Sequence, residues 1–224
     1  MIRAVILDFY GTVVQESYEL LDAIADVFVA GGASCPRSEV PAMWWREFRA
    51  ACDAAHGEAF CLQRELYPRV LKRMAAQCGA KIDVEQLTGE IIRFSRNAGI
   101  FEDAARFLRE CPLPWYVLSN IDNAELAAVL SRHRLTPCGL FTSEDAREYK
   151  PRTGIVEKGL RAFGLRADEA LYAGDSYRND YCGACGAGMR AVWLNRLSEP
   201  VPEGTETKPD LYSVLARLRS EGAV

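Results

Sequence analysis

Three short apolar runs constrain this chain more than any other feature: Ala4–Phe9 (AVILDF), Trp115–Ser119 (WYVLS) and Ala170–Gly174 (ALYAG). Each is rich in Val, Ile, Leu or aromatic residues, and each gives way to small or polar residues. Strands covered on both faces of a parallel sheet read in this way. Arg190–Asn195 and the shorter Leu140–Thr142 fit the same sheet. Helical patterns lie between these runs, at Ala124–His133, Thr153–Phe163, Asp180–Ala187 and Asp210–Arg219. Strands alternating with helices predict an α/β fold with a doubly wound, Rossmann-like parallel sheet.

One interval breaks the alternation. Between the first run and the second there is no convincing strand, but amphipathic helical stretches recur at roughly 18–31, 37–56, 62–78 and 83–97. A crossover between parallel strands needs only about a dozen residues. The excess predicts an inserted α-helical subdomain over 15–97, with 1–14 and 98–224 forming the α/β core. Open α/β sheets bind ligands beyond the carboxyl ends of their strands, so the insert is expected to act there as a cap. Turns are expected at 31–38 and 78–83, with Ser38 and Asp83 as candidate N-caps.

Composition narrows the partners. The 224 residues carry 27 basic and 31 acidic side chains, a net charge of −4, with no cluster of basic residues. This argues against a nucleic-acid or anionic membrane surface and favours a small-molecule substrate. No apolar stretch is long enough to span a bilayer, and the apolar N-terminus runs into Asp8 rather than a cleavage site, so a cytoplasmic protein is expected. The eight cysteines are scattered, as reduced thiols would be. Cys182 and Cys185 form a CxxC pair, but His56 and His133 are distant in sequence and no second pair completes a zinc site. Oligomeric state is left open, since Trp44, Trp45, Phe48, Phe60 and Tyr67 fit a dimer contact as readily as a substrate.

Four polar clusters fall at the ends of the sheet elements or just before a helix. Asp8 closes the first strand ahead of Tyr10-Gly11-Thr12, where a carboxylate can serve as a covalent nucleophile. Ser119 and Asn120 end the second, with a hydroxyl and an amide suited to anionic oxygens. Lys150 precedes Pro151, which biases it to an extended loop. Asp175 and Asp180, in YAGDSYRND, are oxygen donors suited to Mg²⁺.

Together these clusters resemble the haloacid dehalogenase superfamily of hydrolases. Asp8–Thr12 matches its nucleophile loop, Ser119-Asn120 the second loop, Lys150-Pro151 the third and Gly174–Asp180 the fourth, while 15–97 fits its helical cap. The resemblance covers essentially the whole chain and leaves the reaction open. Phosphatases of the superfamily usually carry a second Asp two residues after the nucleophile as the acid for the leaving group. Here that residue is Tyr10. A phenol with a pKa near 10 is a poor proton shuttle at neutral pH. Asp-x-Tyr-Gly-Thr is similar to the 2-haloacid dehalogenases, as is Trp45-Arg46, whose Arg46 is then a substrate-binding candidate.

The fourth loop points the other way. Gly174-Asp175-Ser176 with Asn179-Asp180 looks like the Mg²⁺-binding loop of phosphatases, and Val156 stands where dehalogenases usually have Tyr. Asp8, Asp175 and Asp180 bring −3 to the site and Lys150 returns +1, a balance that calls for a divalent cation. The favoured expectation is thus a Mg²⁺-dependent phosphatase acting on a small phosphorylated metabolite. Asp8, Tyr10 and Lys150 are its catalytic candidates, and Ser119, Asn120 and Arg46 its substrate-binding ones. Asp8, the Tyr10 carbonyl, Asp175 and Asp180 are the metal ligands. The alternatives are a metal-independent 2-haloacid dehalogenase and a non-catalytic protein that binds phosphate and Mg²⁺. Glu47, Asp53 and His56 are candidates for the missing acid by proximity in sequence to Arg46.

Overall fold

In a computed structural model, which describes residues 1–16 and 18–220, the chain forms two compact units. The first comprises Met1–Gln15, Gly99–Asn120 and His133 onward; the second comprises Glu16–Ala98 and Ile121–Arg132. The final four residues of the expected core segment lie outside the described residues.

The first unit is built on a wholly parallel six-stranded sheet: β1 (Ala4–Leu7), β2 (Trp115–Ser119), β3 (Leu140–Thr142), β4 (Ala170–Gly174), β5 (Arg190–Leu194) and β6 (Thr207–Lys208). Their spatial order is β3-β2-β1-β4-β5-β6. Val5 pairs with both Trp115 and Leu171, so β1 lies between β2 and β4. Every residue of β1 and β4 is buried, the pattern expected of strands covered on both faces. Ala4, Ile6, Leu118 and Tyr172 pack on one face against Ile155, Val156 and Leu160. Strand order reverses at β1 and β4, so their carboxyl ends flank the topological switch point where such sheets bind ligands.

The second unit contains α1 (Tyr18–Ala30), α2 (Val40–Ala54), α3 (Gln63–Cys78) and α4 (Val84–Arg96). Their apolar stripes meet in a core of Ile24, Phe28, Trp44, Leu71, Met74 and Ile91. Asp83 caps α4 by accepting from the Gln86 amide at 2.9 Å. Ser38, the other candidate cap, lies inside a single 3₁₀ turn, Arg37–Glu39, and α2 starts only after it. The two links to this insertion run side by side in the first unit, where Gln15 donates to the Gly99 carbonyl at 2.7 Å and Val14 pairs with Ile100.

The remaining helices are α5 (Glu102–Glu110), α6 (Asn123–His133), α7 (Ser143–Ala146), α8 (Thr153–Phe163), α9 (Gly183–Gly186) and α10 (Leu211–Ser220). Sequence periodicity did not single out α5, although Ala104 and Phe107 form its buried stripe. The helix expected over Asp180–Ala187 begins earlier, as a wide π turn over Tyr177–Cys182, and continues into α9. Most of α6 clusters with the helical unit. Asp122, just before α6, accepts from the Gln63 and Arg64 amides at 2.8 and 3.0 Å, and Arg96 binds Glu125 at 2.9 Å. Those amides are unsatisfied donors of the α3 N-terminus, and the Asp122 carboxylate caps them where Leu62 has no side chain to do so.

Candidate active site

Asp8 follows β1, Ser119 ends β2, and Asp175 follows β4, so the parallel sheet delivers all three to its carboxyl edge. The turn after Asp8 is tight: Val13 and Val14 both donate to the Phe9 carbonyl, and Gly11 donates to that of Val14. Gly11 has φ +82, and a Cβ built on it would lie 2.4 Å from the Asp175 carboxyl carbon. Its lack of a side chain lets the fourth loop approach the first. Thr12 fastens the two, its hydroxyl donating to Asp175 Oδ1 at 3.1 Å and accepting from the Asp175 amide at 3.0 Å.

Lys150 is not the solvated cation that a loop lysine usually is; only 3% of it is exposed. Its ammonium lies 2.7 Å from Asp8 Oδ1, 2.5 Å from Asp180 Oδ1 and 2.9 Å from the Tyr172 hydroxyl. These partners match the three hydrogens an ammonium can donate, and the Leu118 carbonyl, at 3.3 Å, is a weaker fourth acceptor. Tyr172 in turn donates to that carbonyl at 2.9 Å. The Lys150 backbone is pinned by Asn120, whose side-chain oxygen accepts from its amide at 2.7 Å and whose NH₂ donates to its carbonyl at 3.1 Å.

Oxygens of Asp8, Asp175 and Asp180 lie within 4.8 Å of one another. Asp180 is 1% exposed and accepts from the Ser176 amide at 2.8 Å. Burial, reinforced by repulsion from Asp8, pushes its carboxyl up to about 6, although Lys150 and the Ser176 amide pull the other way. Burial also opposes the charge on Lys150, but attraction to Asp180 and Asp8 outweighs it and holds the ammonium well above the ordinary lysine range. The two shift upward for different reasons: Asp180 chiefly because it is buried, and Lys150 because its one ammonium faces two carboxylates. Tyr172 is pushed well above the ordinary phenol range by burial, and so remains a neutral donor to the Leu118 carbonyl.

The other sequence candidates are placed as follows. Tyr10 is half-buried beside Asp8, its ring edge-on to Phe9 at 5.6 Å. Arg46 lies in α2 of the helical unit, where it donates to Glu47 at 3.3 Å and Gln77 at 3.1 Å. Glu47 is bound by Gln77, Arg73 and Arg46, and these contacts hold its carboxyl below the usual range despite burial, which makes it a poor acid. Trp44 stacks with Phe48 and Tyr67 in the core of its unit, and Trp45 is exposed. Val156, the departure from the dehalogenase pattern, is fully buried among apolar neighbours. In the sequence Thr12 appears only as the last residue of the nucleophile-loop match, with no sign of its contact with Asp175, and no local pattern marks Tyr172 or Arg196, because each of the three acts on a partner distant in sequence.

The sequence profile of haloacid dehalogenase-like hydrolases matches residues 2–188. The chain belongs to the haloacid dehalogenase-like hydrolases. Among curated proteins, a phosphoserine phosphatase of Thermus thermophilus is 28% identical over 181 residues, covering 78% of this chain and 70% of its own. A phosphoglycolate phosphatase of Photorhabdus laumondii is 25% identical, covering 86% and 80%. In fold, the chain is similar to the L-2-haloacid dehalogenase of Xanthobacter autotrophicus, with TM-score 0.77 at 19% identity over 98% of this chain and 99% of that one. A magnesium-bound haloacid dehalogenase-like hydrolase from Bacillus subtilis matches with TM-score 0.77 at 17% identity, over 97% and 99%.

Proposed function

We propose that this haloacid dehalogenase-like hydrolase is a Mg²⁺-dependent phosphatase acting on a small phosphorylated metabolite, with Asp8 as covalent nucleophile. The observation that carries the reading is the carboxylate cluster: Asp8, Asp175 and Asp180 present oxygens within 4.8 Å of one another. Lys150 binds two of them. The fit to a hard divalent cation is good. The donors are carboxylate oxygens, Gly11 leaves space that the Asp175 carboxylate approaches and a Cβ would fill, and Asn179 Oδ1, in the turn that carries Asp180, is buried without a hydrogen-bond partner. Asp8, Asp175, Asp180 and the Tyr10 carbonyl would hold Mg²⁺. The bound ion supplies charge neutralisation for the phosphoryl oxygens. The phosphatases among the curated relatives support the same reading.

The chain's own groups divide the work. Lys150 holds Asp8 Oδ1, which fixes the carboxylate plane and leaves Oδ2, without a hydrogen-bond partner among the described residues, to attack phosphorus in line. The attack forms the Asp8–phosphorus bond of an acyl phosphate and breaks the bond to the leaving oxygen, which departs as an anion; water then cleaves that mixed anhydride, releasing inorganic phosphate and restoring the carboxylate. Asn120 sets the position of Lys150 through its backbone. Ser119, at the end of β2, binds the substrate. With Tyr10 in place of a carboxylic acid, leaving groups of low pKa, such as acyl or aryl phosphates, are the substrates of choice.

A second reading, 2-haloacid dehalogenase, is favoured by Tyr10 itself, because a departing halide needs no proton. There Asp8 attacks carbon, and Arg46 binds the substrate carboxylate. One assay separates the readings: hydrolysis of an aryl phosphate and of 2-chloropropionate, each with millimolar Mg²⁺ and with EDTA, alongside Asp8→Asn. Phosphate release that requires both Mg²⁺ and Asp8 is expected. Halide release that survives EDTA and is lost in Asp8→Asn would overturn the phosphatase reading. Mg²⁺ binding without any turnover, unchanged in Asp8→Asn, would identify a binding protein.

A further inference from the structure

Arg196 stands just past Asn195, the residue that follows β5, with only 18% of its side chain exposed. Its Nε donates to the Gly11 carbonyl at 3.0 Å and its Nη2 to the Thr12 carbonyl at 2.9 Å. Nη2 also lies 2.9 Å from Asp103 Oδ2, and the guanidinium sits 4.1 Å over the Phe101 ring. Asp103 is itself fixed, accepting from the Leu211 amide at the start of α10 at 2.7 Å. One planar cation therefore ties β5, α5 and α10 to two consecutive carbonyls of the loop that follows Asp8.

Those carbonyls belong to Gly11 and Thr12, the residues against which Asp175 rests. The turn around them has few alternatives, since Val13 and Gly11 are committed to the Phe9 and Val14 carbonyls. Fixing two successive carbonyls fixes the peptide planes on either side of Thr12, and so the direction of the hydroxyl that orients Asp175. An apolar side chain would pack on Phe101 but strand the Asp103 carboxylate, so the arginine also carries stability, and its positioning role must be read from the site itself.

We propose that Arg196 is a positioning residue of the active centre: by gripping the Gly11 and Thr12 carbonyls it sets the Thr12–Asp175 contact and thereby the placement of Asp175 relative to Asp8. This rests on the reading that Asp8 and Asp175 serve one active centre. A guanidinium is required because its planar fork meets two carbonyls and a carboxylate while its face stacks on a ring; a lysine offers a point charge.

The test compares Arg196→Met, which keeps the apolar stem, with Arg196→Lys, which keeps the charge. kcat and KM are measured on whichever of aryl phosphate or 2-chloropropionate the wild type turns over, Mg²⁺ affinity by calorimetry, and the Thr12–Asp175 contact by crystallography of each variant. Misplacement of about 1 Å costs on the order of 100-fold, so Arg196→Met is expected to lose about that factor in kcat with KM nearly unchanged, and Arg196→Lys to recover only part of it. The Thr12–Asp175 hydrogen bond should be broken in the Met variant. A variant that melts lower but keeps kcat, Mg²⁺ affinity and that hydrogen bond would overturn the proposal. The crystallographic readout does so whatever the enzyme turns over, so it is distinguishable from failure of the phosphatase reading.

Discussion

Lys150 Nζ lies 2.7 Å from Asp8 Oδ1 across 142 positions of sequence, and the same ammonium lies 2.5 Å from Asp180. Removing it strands buried carboxylates without a counter-charge, a change that costs about 3–5 kcal/mol in comparable buried pairs. Lys150→Met is therefore expected to lower the denaturation midpoint and abolish measurable turnover. The stability loss should be smaller in acid, where Asp180 takes up a proton. Urea titrations at two pH values check this, and an equal loss at both would contradict the electrostatic account.

On the proposed Mg²⁺-dependent reading, Asp180 sets a pH dependence for metal binding. Its carboxyl sits at about 6 in the folded protein against an ordinary 3.8, so between those values the folded state keeps a proton that the unfolded chain has released. The stabilisation from that proton is complete below the unfolded value and is lost as pH rises through the folded one. A cation binds the deprotonated carboxylate, so the rise in Tm caused by Mg²⁺ is expected to be small near about pH 5 and larger near about pH 7.5. Thermal melts with and without Mg²⁺ at both values measure it.

Gly11 and Gly79 form a matched pair of controls. Both have positive φ, +82 and +70, but a Cβ on Gly11 meets Asp175 at 2.4 Å whereas one on Gly79 meets nothing within 4 Å. Gly79→Ala is expected to cost about 1 kcal/mol, the strain of that backbone region alone. Gly11→Ala should cost more and also weaken Mg²⁺ binding by displacing Asp175. Comparable losses in both variants, with Mg²⁺ affinity intact, would show that the close approach has no consequence.

Tyr172→Phe removes the hydroxyl that receives one hydrogen from Lys150 and donates to the Leu118 carbonyl. A net hydrogen bond is worth about 1 kcal/mol, so a fall in kcat of about tenfold or less with unchanged KM is expected, as the ammonium turns toward the Leu118 carbonyl. Steady-state kinetics settle it; a change confined to KM would place Tyr172 at the substrate rather than behind Lys150.

The sequence by itself determined strands β1 to β5 and the elements that deliver Asp8, Asp175 and Asp180 to the sheet, but not the two-residue β6. Consecutive apolar residues in AVIL, WYVLS and ALYAG can be buried only by covering both faces, and the polar residues that end each run must then emerge at one edge. Asp83 and the strands at 115–119 and 170–174 are local signals of the same kind, because a cap or a strand is decided by residues a few positions apart. Tertiary structure alone decided the rest. The burial of Lys150, the reach of Tyr172 to it, the capping of α3 by Asp122 and the grip of Arg196 on Gly11 and Thr12 each join residues between 22 and 185 positions apart. Such partners are chosen by how strands and helices register once packed, and neither composition nor periodicity carries that information.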